Sequence, residues 1–199
     1  SEETAVRVST VFACVRIIAE DVARLPLHLY ERTGEGRQRA VNHPLHPRIT
    51  GRANPELPMK VFREVVTGHC ALWGSGYAEI ERDNAGRPIA FWPLLPGVTR
   101  AVRRGGRKYV VTRLLNGKEV GLAPGQYIHV PGPSWLNDGL DGHHPVRLAR
   151  EAIGISMAAE EYGARLFGNG ALMSGILTSE KKLTPDQRNQ MKAGWDAAY

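Results

Sequence analysis

The most restrictive feature of the sequence is the run from Pro145 to Phe167, which has no internal proline and only two glycines. Such a run can form one helix of about 23 residues, roughly 35 Å long at ~1.5 Å per residue. Pro145 suits the first turn of a helix, where its missing N–H would be unpaired in any case. Gly168 and Gly170 can adopt the left-handed conformation that commonly ends a helix. We therefore predict one long helix between these positions.

Two apolar stripes run along opposite sides of this predicted helix. The first, which we name the seam, has the 4-3-4-3-4 spacing of a helix packed on a partner helix. It consists of Leu148, Ala152, Ile155, Ala159, Tyr162 and Leu166. The second stripe consists of Val146, Ile153, Met157, Ala164 and Phe167. Two apolar sides need two neighbours, either in the core of one domain or between its own chain and another copy in a ring.

Charged residues lie on one flank of the helix, between the two stripes. This charged flank consists of Arg147, Arg150, Glu151, Glu161 and Arg165. Arg147 with Glu151, and Glu161 with Arg165, are pairs of opposite sign four residues apart, the spacing at which side chains meet on a helix surface. We expect both ion pairs to form.

The remaining sequence predicts an α+β fold. Helical spacing of apolar residues predicts a helix over about 10–25, capped by Ser9 or Thr10, and another over about 59–73, closed by Gly74. A short strand over 27–30 and a polar turn over 31–39 separate them. Alternation and turn signals, of which Asn116-Gly117 is the strongest, then predict an antiparallel meander. Its strands are expected at 77–82, 89–94, 98–102, 108–113, 120–122 and 127–130.

The end of the sequence predicts a separate strand and helix. Residues 174–178 have strand character, and Thr184-Pro185 is a capped start for a last helix. The sequence stops inside that helix, so we expect the chain to be part of a longer protein.

Composition permits contact with a polyanion without requiring it. The net charge is +6 and the pI about 9.6, but the basic residues are scattered, and the densest runs, 32–39 and 100–108, are typical of solvated turns. Cys14 and Cys70 are expected to be buried free thiols. No apolar run reaches 18 residues, so we expect no membrane contact.

No motif for a metal, a cofactor or catalysis stands out. Prolines separate His43 from His46, so these two cannot share a helix face as zinc ligands do in His-Glu-x-x-His. Asp138, Asp141 and His143 would suit a hydrolase, but no nucleophile motif accompanies them. We expect no catalytic residue, no metal and no cofactor.

Several stretches, in order and with consistent spacing, resemble the portal proteins of tailed bacteriophages of the HK97 type. They are Ser9–Glu20 (STVFACVRIIAE), Leu25–Tyr30 (LPLHLY), His43–Leu45 (HPL), Ala53–Pro55 (ANP), Leu72–Ile80 (LWGSGYAEI), Trp92–Pro96 (WPLLP), Tyr127–Val130 (YIHV), Asp138–Gly142 (DGLDG) and Ala152–Gly170. The resemblance runs from about Ser9 to Tyr199. No single motif is decisive, but the ordered set is specific.

The resemblance implies a ring-shaped, usually dodecameric, channel at one vertex of the capsid, used for DNA packaging and ejection. It implies a structural protein rather than an enzyme, with residues 1–141 as the wing domain, 142–170 as the stem helix and 171–199 as part of the clip domain. The implied partners are copies of itself, double-stranded DNA in the channel, the packaging ATPase (terminase large subunit), the head–tail adaptor and the major capsid or scaffold protein. The implied location is the virion, and the host cytoplasm during assembly.

The resemblance also gives roles to individual residues. The seam, with Ile153 and Met157, would pack against the second stem helix and a neighbouring subunit. The charged flank would face the channel or the outside, where mixed charge avoids gripping DNA. Lys181 and Lys182 would contribute to docking of the motor or connector.

One departure from the family pattern concerns the helix start, where Gly142-His143-His144-Pro145 replaces Gly-x-Ser-Pro. Imidazole is a poorer cap than a hydroxyl, so His144 puts the start of the helix in doubt and would make this junction pH-sensitive. The alternative to a portal is a monomeric basic nucleic-acid-binding domain.

Overall fold

The computed structural model describes residues 1–34, 36–134, 138–168 and 182–198. The fold is α+β, as the sequence predicts, with helices beside small antiparallel sheets. The chain divides into two units, Ser1–Ala158 and Ala159–Tyr199. Within the described ranges, no helix is long and apolar enough to cross a bilayer.

The first unit contains four helices that precede its two three-stranded sheets. They are α1 (Glu2–Ala5), α2 (Ser9–Arg24), α3 (His46–Thr50) and α4 (Met59–Trp73). Helices α2 and α4 were predicted and pack against each other. The predicted cap of α2 is wrong, because Val8 is the N-cap residue and Ser9 is already helical. Helix α4 ends at Gly74 as predicted, and the φ of Gly74 is +81°, a value that favours glycine.

A β-hairpin replaces the predicted strand and polar turn between α2 and α3. Its strands are β1 (Tyr30–Thr33) and β2 (Gly36–Arg39), and both are solvent-exposed throughout. Pairing here does not need apolar alternation, because polar side chains also meet across the strands. The Gln38 amide donates to the Glu31 carboxylate at 2.6 Å, and the Arg37 guanidinium lies 5.4 Å from the Tyr30 ring centre.

Six strands form two three-stranded antiparallel sheets. The first has the order β4-β3-β8, with β3 at Ser75–Arg82, β4 at Pro88–Leu94 and β8 at Tyr127–Pro131. The second has the order β5-β6-β7, with β5 at Thr99–Arg104, β6 at Arg107–Arg113 and β7 at Glu119–Leu122. The strand positions were predicted, but the single meander is wrong. Strand β8 pairs with β3, whose first four residues are all buried, as in a central strand.

Strand β3 joins the two hydrophobic clusters of the first unit. Ala78 belongs to one cluster and Tyr77 to the other, because successive side chains of a strand point to opposite faces. The first cluster consists of Ala53, Met59, Phe62, Val66, Ala78 and Phe91. The second consists of Tyr77, Ala101, Val110 and Leu122.

The predicted long helix starts at Pro145, as expected, but it is interrupted. Helix α5 covers Pro145–Leu148, Ala149 leaves the helical region (φ −93°, ψ 12°), and α6 covers Arg150–Gly168. The His144 side chain makes no capping bond, and the first turn closes through the backbone. The Arg147 N–H donates to the His144 carbonyl three residues back, which is the tighter 3₁₀ spacing.

The last helix, α7, covers Pro185–Ala198 and begins where the sequence predicts. The Thr184 hydroxyl accepts from the Gln187 N–H at 3.4 Å, and the Gln187 side chain accepts from the Thr184 N–H at 3.0 Å. This reciprocal arrangement is a capping box. The strand predicted over 174–178 lies outside the described residues.

Three backbone segments touch where the chain enters α5. The Gly132 N–H, just after β8, donates to the carbonyl of Gly74, at the end of α4, at 2.8 Å. A Cβ on Gly142 would lie 1.8 Å from the Gly74 oxygen, and a Cβ on Gly74 would lie 1.9 Å from the His143 oxygen. Only glycines allow this approach, which fixes the point from which α5 leaves the sheets.

We expect Gly142→Ala to destabilise the protein strongly, because its methyl group would overlap the Gly74 backbone. The loss in free energy of unfolding should be about 3 kcal/mol or more, at the upper end of overpacking effects. Urea unfolding followed by circular dichroism measures it.

The matched control is Gly154→Ala in α6, where a Cβ would meet nothing within 4 Å. That variant should gain roughly 0.5–1 kcal/mol from helix propensity. Equal effects of the two substitutions would contradict the close approach at Gly142.

Candidate functional site

The seam is largely exposed along α5 and α6. Helix α6 has no buried residue. Leu148, Ile155 and Tyr162 expose 67%, 71% and 70% of their surface. Ala152 and Ala159 are exposed as well, and Leu166 is half-buried. Side chains of this size are normally covered in a folded protein, and the described residues leave most of the seam uncovered.

The beginning of the second stripe faces the chain's own helices. Val146, Ala149 and Ile153 line an apolar groove of ≈ 260 Å³ together with residues of α2 and α4, among them Cys14 and Leu72. Ile153 and Met157 are half-buried, whereas Phe167 at the far end is 75% exposed. The helix base is thus held on one side by α2 and α4.

The cysteines are free, as predicted, but only partly buried. Cys14 is exposed beside the apolar groove, and Cys70 on α4 is half-buried. The expectation that Cys14 is buried is wrong. The apolar face of α2 on which it lies is left partly uncovered by the described residues.

The charged flank forms one of its two predicted ion pairs. Arg165 and Glu161 lie 2.6 Å apart. Arg147 lies 4.0 Å from Glu2 of α1 instead of pairing with Glu151. The interruption at Ala149 falls between Arg147 and Glu151, so their spacing is no longer that of a continuous helix. Arg150 and Glu151 are both solvent-exposed.

Asp141 anchors the segment that leads into α5. One carboxylate oxygen accepts hydrogen bonds from the Tyr77 hydroxyl and from the Ser75 hydroxyl, the latter at 3.2 Å. The other accepts from the Ala101 N–H at 3.2 Å. The buried His129 ring stacks on Tyr77, with its Nε2 3.4 Å from the carboxylate. Asp141 therefore ties the helix start to both sheets, through β3 and β8 of one and β5 of the other.

A second bond continues this anchor to the glycine contact. The Gly142 N–H donates to the Ser75 hydroxyl at 3.0 Å, and both residues are buried. Ser75 thus donates to Asp141 and accepts from Gly142. The Ser75 hydroxyl therefore connects the Asp141 carboxylate to the backbone of Gly142.

The electrostatics of the anchor favour a carboxylate and a neutral phenol. Burial by itself raises the pKa of Asp141, but the adjacent His129 ring and hydrogen bonds from Tyr77 and the Ala101 N–H outweigh it, and the pKa is lower than usual. Burial, reinforced by Asp141, raises the pKa of Tyr77. At neutral pH the anchor is therefore a carboxylate anion at Asp141 beside a neutral phenol at Tyr77.

The residues considered for a hydrolase have structural contacts instead. Asp141 is the anchor, and Asp138 accepts from the Leu140 N–H at 3.0 Å in a turn. The His143 N–H donates to the Pro133 carbonyl at 2.7 Å. Within the described ranges, no cluster of three or more His, Cys, Asp or Glu side chains could hold a metal ion.

His144 sits at the start of α5, facing charges from several elements. Its Nδ1 lies 3.8 Å from the Glu2 carboxylate, and Arg147 shares the same carboxylate. Burial, with help from Arg147, lowers the pKa of His144, while Glu2 and Asp141 oppose this shift. The lowered pKa gives the predicted pH sensitivity a direction, because it means that folding disfavours protonation of His144.

The proposed docking lysines are described only in part. Lys181 lies outside the described residues. Lys182 is exposed and precedes α7. A docking role for the pair stays a prediction.

Sequence reasoning missed the anchor around Asp141. It considered Asp138 and Asp141 as hydrolase candidates and as part of a family motif, and neither use identifies the contacts of Asp141. A usable signal was the polar Ser75 and the aromatic Tyr77 at the start of a strand, beside the small residues Gly76 and Ala78. The pairing of His129 with Tyr77 depends on the β3–β8 register, which no local pattern reveals.

We expect Asp141→Asn to destabilise the start of α5. Both carboxylate oxygens of Asp141 accept hydrogen bonds, and the asparagine amide would replace one of these acceptors with an NH₂ donor. The free energy of unfolding should fall by about 1–3 kcal/mol, the usual cost of a buried unsatisfied group. Chemical denaturation at neutral pH gives this value. Asp138→Asn, whose side chain is 60% exposed, is the control and should stay within about 0.5 kcal/mol of the parent.

We expect acidification from about pH 7 to pH 5 to destabilise the first unit, with His144 as one cause. A folded-state pKa below the ordinary value of 6.5 means that the unfolded chain binds the proton more readily, so stability is complete above that pH and falls below it. Burial lowers the pKa of His69 too, which adds a slope of the same sign.

His144→Ser should make the pH dependence of the melting temperature shallower without abolishing it. It should also raise stability at neutral pH by about 1 kcal/mol, because a serine can cap α5. Thermal melts across this pH range measure both effects. If the pH dependence of the melting temperature is unchanged in this variant, His144 does not contribute to it.

The chain matches proteins of tailed phages in sequence. The family model described as phage portal protein matches residues 9–199. The chain is 29% identical over 195 residues to the portal protein of Enterobacteria phage HK97, covering 96% of this chain and 45% of that protein. It is 28% identical over 207 residues to the probable portal protein of Streptomyces phage phiC31, covering 98% and 44%. The chain therefore spans somewhat less than half the length of these relatives.

Solved structures show the same fold. A chain from the neck of an empty gene transfer agent particle has a TM-score of 0.69 at 22% identity, over 93% of this chain and 51% of that chain. A crystal structure of an HK97 family phage portal protein from Corynebacterium diphtheriae has a TM-score of 0.64 at 18% identity, over 98% and 59%. The family match extends over nearly the whole sequence, and the chain belongs to the phage portal protein family.

Proposed function

We propose that this chain is part of a ring-shaped portal at one capsid vertex, through which double-stranded DNA enters during packaging and leaves on ejection. The observation that carries the proposal is the seam. A long helix of a portal-family chain has no buried residue in α6, while Leu148, Ile155 and Tyr162 expose two thirds of their surface or more. The apolar side chains of such a helix would be covered only when other helices pack against it.

The two sides of the helix have different roles in this proposal. The groove formed with α2 and α4 holds the helix base against its own chain. The seam then remains for a second stem helix and a neighbouring subunit. Covering one large apolar side chain contributes about 1.5–3 kcal/mol, so a few per subunit suffice to favour assembly. In a closed ring such heterologous contacts repeat without a free end.

Symmetry in related particles supports a ring. The neck structures of gene transfer agent particles that contain similar chains were computed with C6 and C12 symmetry. We propose the same kind of assembly here, with residues 1–141 as the wing, 142–170 as the stem helix and 171–199 as part of the clip. The protein acts in the virion, after assembly in the host cytoplasm.

The proposed partners follow from that architecture. The clip, with Lys181 and Lys182, would dock the terminase large subunit during packaging and the head–tail adaptor afterwards. The wing would meet the major capsid or scaffold protein. The role is structural, and ATP hydrolysis belongs to the motor. The exposed, mixed charges of the flank would face the channel or the outside without holding DNA.

We expect Ile155→Glu in the complete protein to prevent or weaken ring formation, because it places a charge in the middle of the seam. Native mass spectrometry and negative-stain electron microscopy would show smaller species in place of rings. Ala158→Glu is the matched control, because it adds the same charge one helical turn along, on the side of the charged flank, and should leave rings intact.

Two outcomes would contradict the proposal. Rings that form equally well with Ile155→Glu would mean that the seam is not an interface. A complete parent protein that stays monomeric and binds DNA would favour the alternative, a nucleic-acid-binding domain that acts alone.

A further inference from the structure

The excess positive charge of the chain is concentrated in one β-hairpin. Strands β5 and β6, from Thr99 to Arg113, contain six basic residues and no acidic one. The net charge of the whole chain is also +6, so the remainder is neutral. The basic residues of the hairpin are Arg100, Arg103, Arg104, Arg107, Lys108 and Arg113. A local excess of this kind attracts anions, whereas charge spread evenly over the surface would not focus them.

The strand register places like charges opposite each other at the hairpin tip. Arg103 pairs with Lys108, and Arg104 pairs with Arg107, on either side of the Gly105-Gly106 turn. Directly opposed like charges destabilise an antiparallel pair. The fold therefore carries a local electrostatic cost at this tip that a bound anion would relieve.

The basic residues of the hairpin differ in how far their charge is satisfied within the chain. Arg100 and Arg113 lie 3.0 Å and 4.0 Å from the Glu119 carboxylate. Arg103 lies 3.8 Å from Asp138. Arg104 and Arg107 are exposed, and within the described part of the chain neither makes a salt bridge or hydrogen bond, although Arg104 is close enough to Glu119 to contribute to lowering its pKa. They share the outer face of the hairpin, because they are paired across it.

The chemistry of the tip fits phosphate better than an acidic protein surface. Between Arg103 and Lys108 the residues are only arginine, glycine and lysine. Protein interfaces place apolar or aromatic side chains at their centre, with arginine enriched beside them, and the tip has no apolar side chain to form such a centre. Contacts to a nucleic-acid backbone need only flexible cationic side chains, which read no sequence.

We propose that the tip of the β5–β6 hairpin binds the phosphate backbone of double-stranded DNA, with Arg104 and Arg107 as its contacts. The site is distinct from the seam and from the charged flank, and it does not depend on the number of subunits in a ring. This contact would retain DNA, because no acidic residue within the hairpin offsets the attraction between its basic residues and the phosphates. Its binding is independent of base sequence and weakens with salt.

The other exposed hairpin provides a matched control. Arg32 and Arg37 are also directly opposed, across β1 and β2, and both are exposed. That segment, residues 31–39, contains three arginines and two glutamates, so its net charge is only +1. The same pair of substitutions there removes the same charge and the same cross-strand repulsion.

The test compares Arg104→Gln/Arg107→Gln with Arg32→Gln/Arg37→Gln in the complete protein. The probe is a short fluorescein-labelled DNA duplex of random sequence, followed by anisotropy over a series of salt concentrations. The β5–β6 variant should bind about tenfold more weakly or worse, and its plot of log affinity against log salt should be shallower by at least about 2. The control variant should bind like the parent.

Stability distinguishes lost binding from lost folding. Because the substitutions remove opposed charges, the β5–β6 variant should melt at or above the temperature of the parent in the absence of DNA. A folded variant with parental DNA affinity would overturn the proposal, as would equal losses in the two variants, which would indicate net charge alone. Hairpin-dependent binding of poly-glutamate as tight as that of DNA would overturn it in favour of an acidic protein partner.

Discussion

The contact of three backbones at Gly74, Gly132 and Gly142 is the constraint on which the rest of the structure depends. It brings the ends of α4 and β8 against the segment that enters α5, at distances that admit no side chain. Asp141, one residue away, adds hydrogen bonds to both sheets. Backbone approach fixes the position of the helix start, and the buried carboxylate ties that position to both sheets. The glycine contact alone would not connect the helix start to both sheets, and the hydrogen bonds of Asp141 alone would not fix its position.

An anchored helix start explains how α6 can expose an apolar face. A helix in water needs tertiary packing for most of its stability. Here the packing is concentrated at the base, where Val146 and Ile153 face α2 and α4, while most of the seam is exposed. The chain thus packs against the base of the helix and leaves several large apolar side chains exposed. That arrangement suits a subunit of an assembly and would be a liability in a monomer.

Local signals in the sequence were sufficient at several helix ends that particular residues mark, although not at the start of α2. Pro145, Gly74 and the Thr184–Gln187 capping box each fix a helix end through one or two residues, and each lies where the sequence predicts it. Pairings between distant segments were not predictable in this way. The β3–β8 pair brings Tyr77 to His129, and the anchor at Asp141 follows only from that register. The interruption at Ala149 and the exposure of Cys14 likewise depend on neighbours that no local pattern identifies.

Charge shows most clearly what the structure adds to the sequence. Counted along the chain, basic residues look scattered, and the run 100–108 looks typical of a solvated turn. The strand register shows in addition that this run brings like charges opposite each other across a hairpin. The flank contains both signs and pairs Glu161 with Arg165, so its charge is partly compensated. The β5–β6 hairpin opposes Arg104 to Arg107 with no acidic residue in either strand. A surface past which DNA slides and a surface that holds DNA need opposite arrangements of charge, and the two proposals made for this chain assign one to the charged flank and the other to the β5–β6 hairpin.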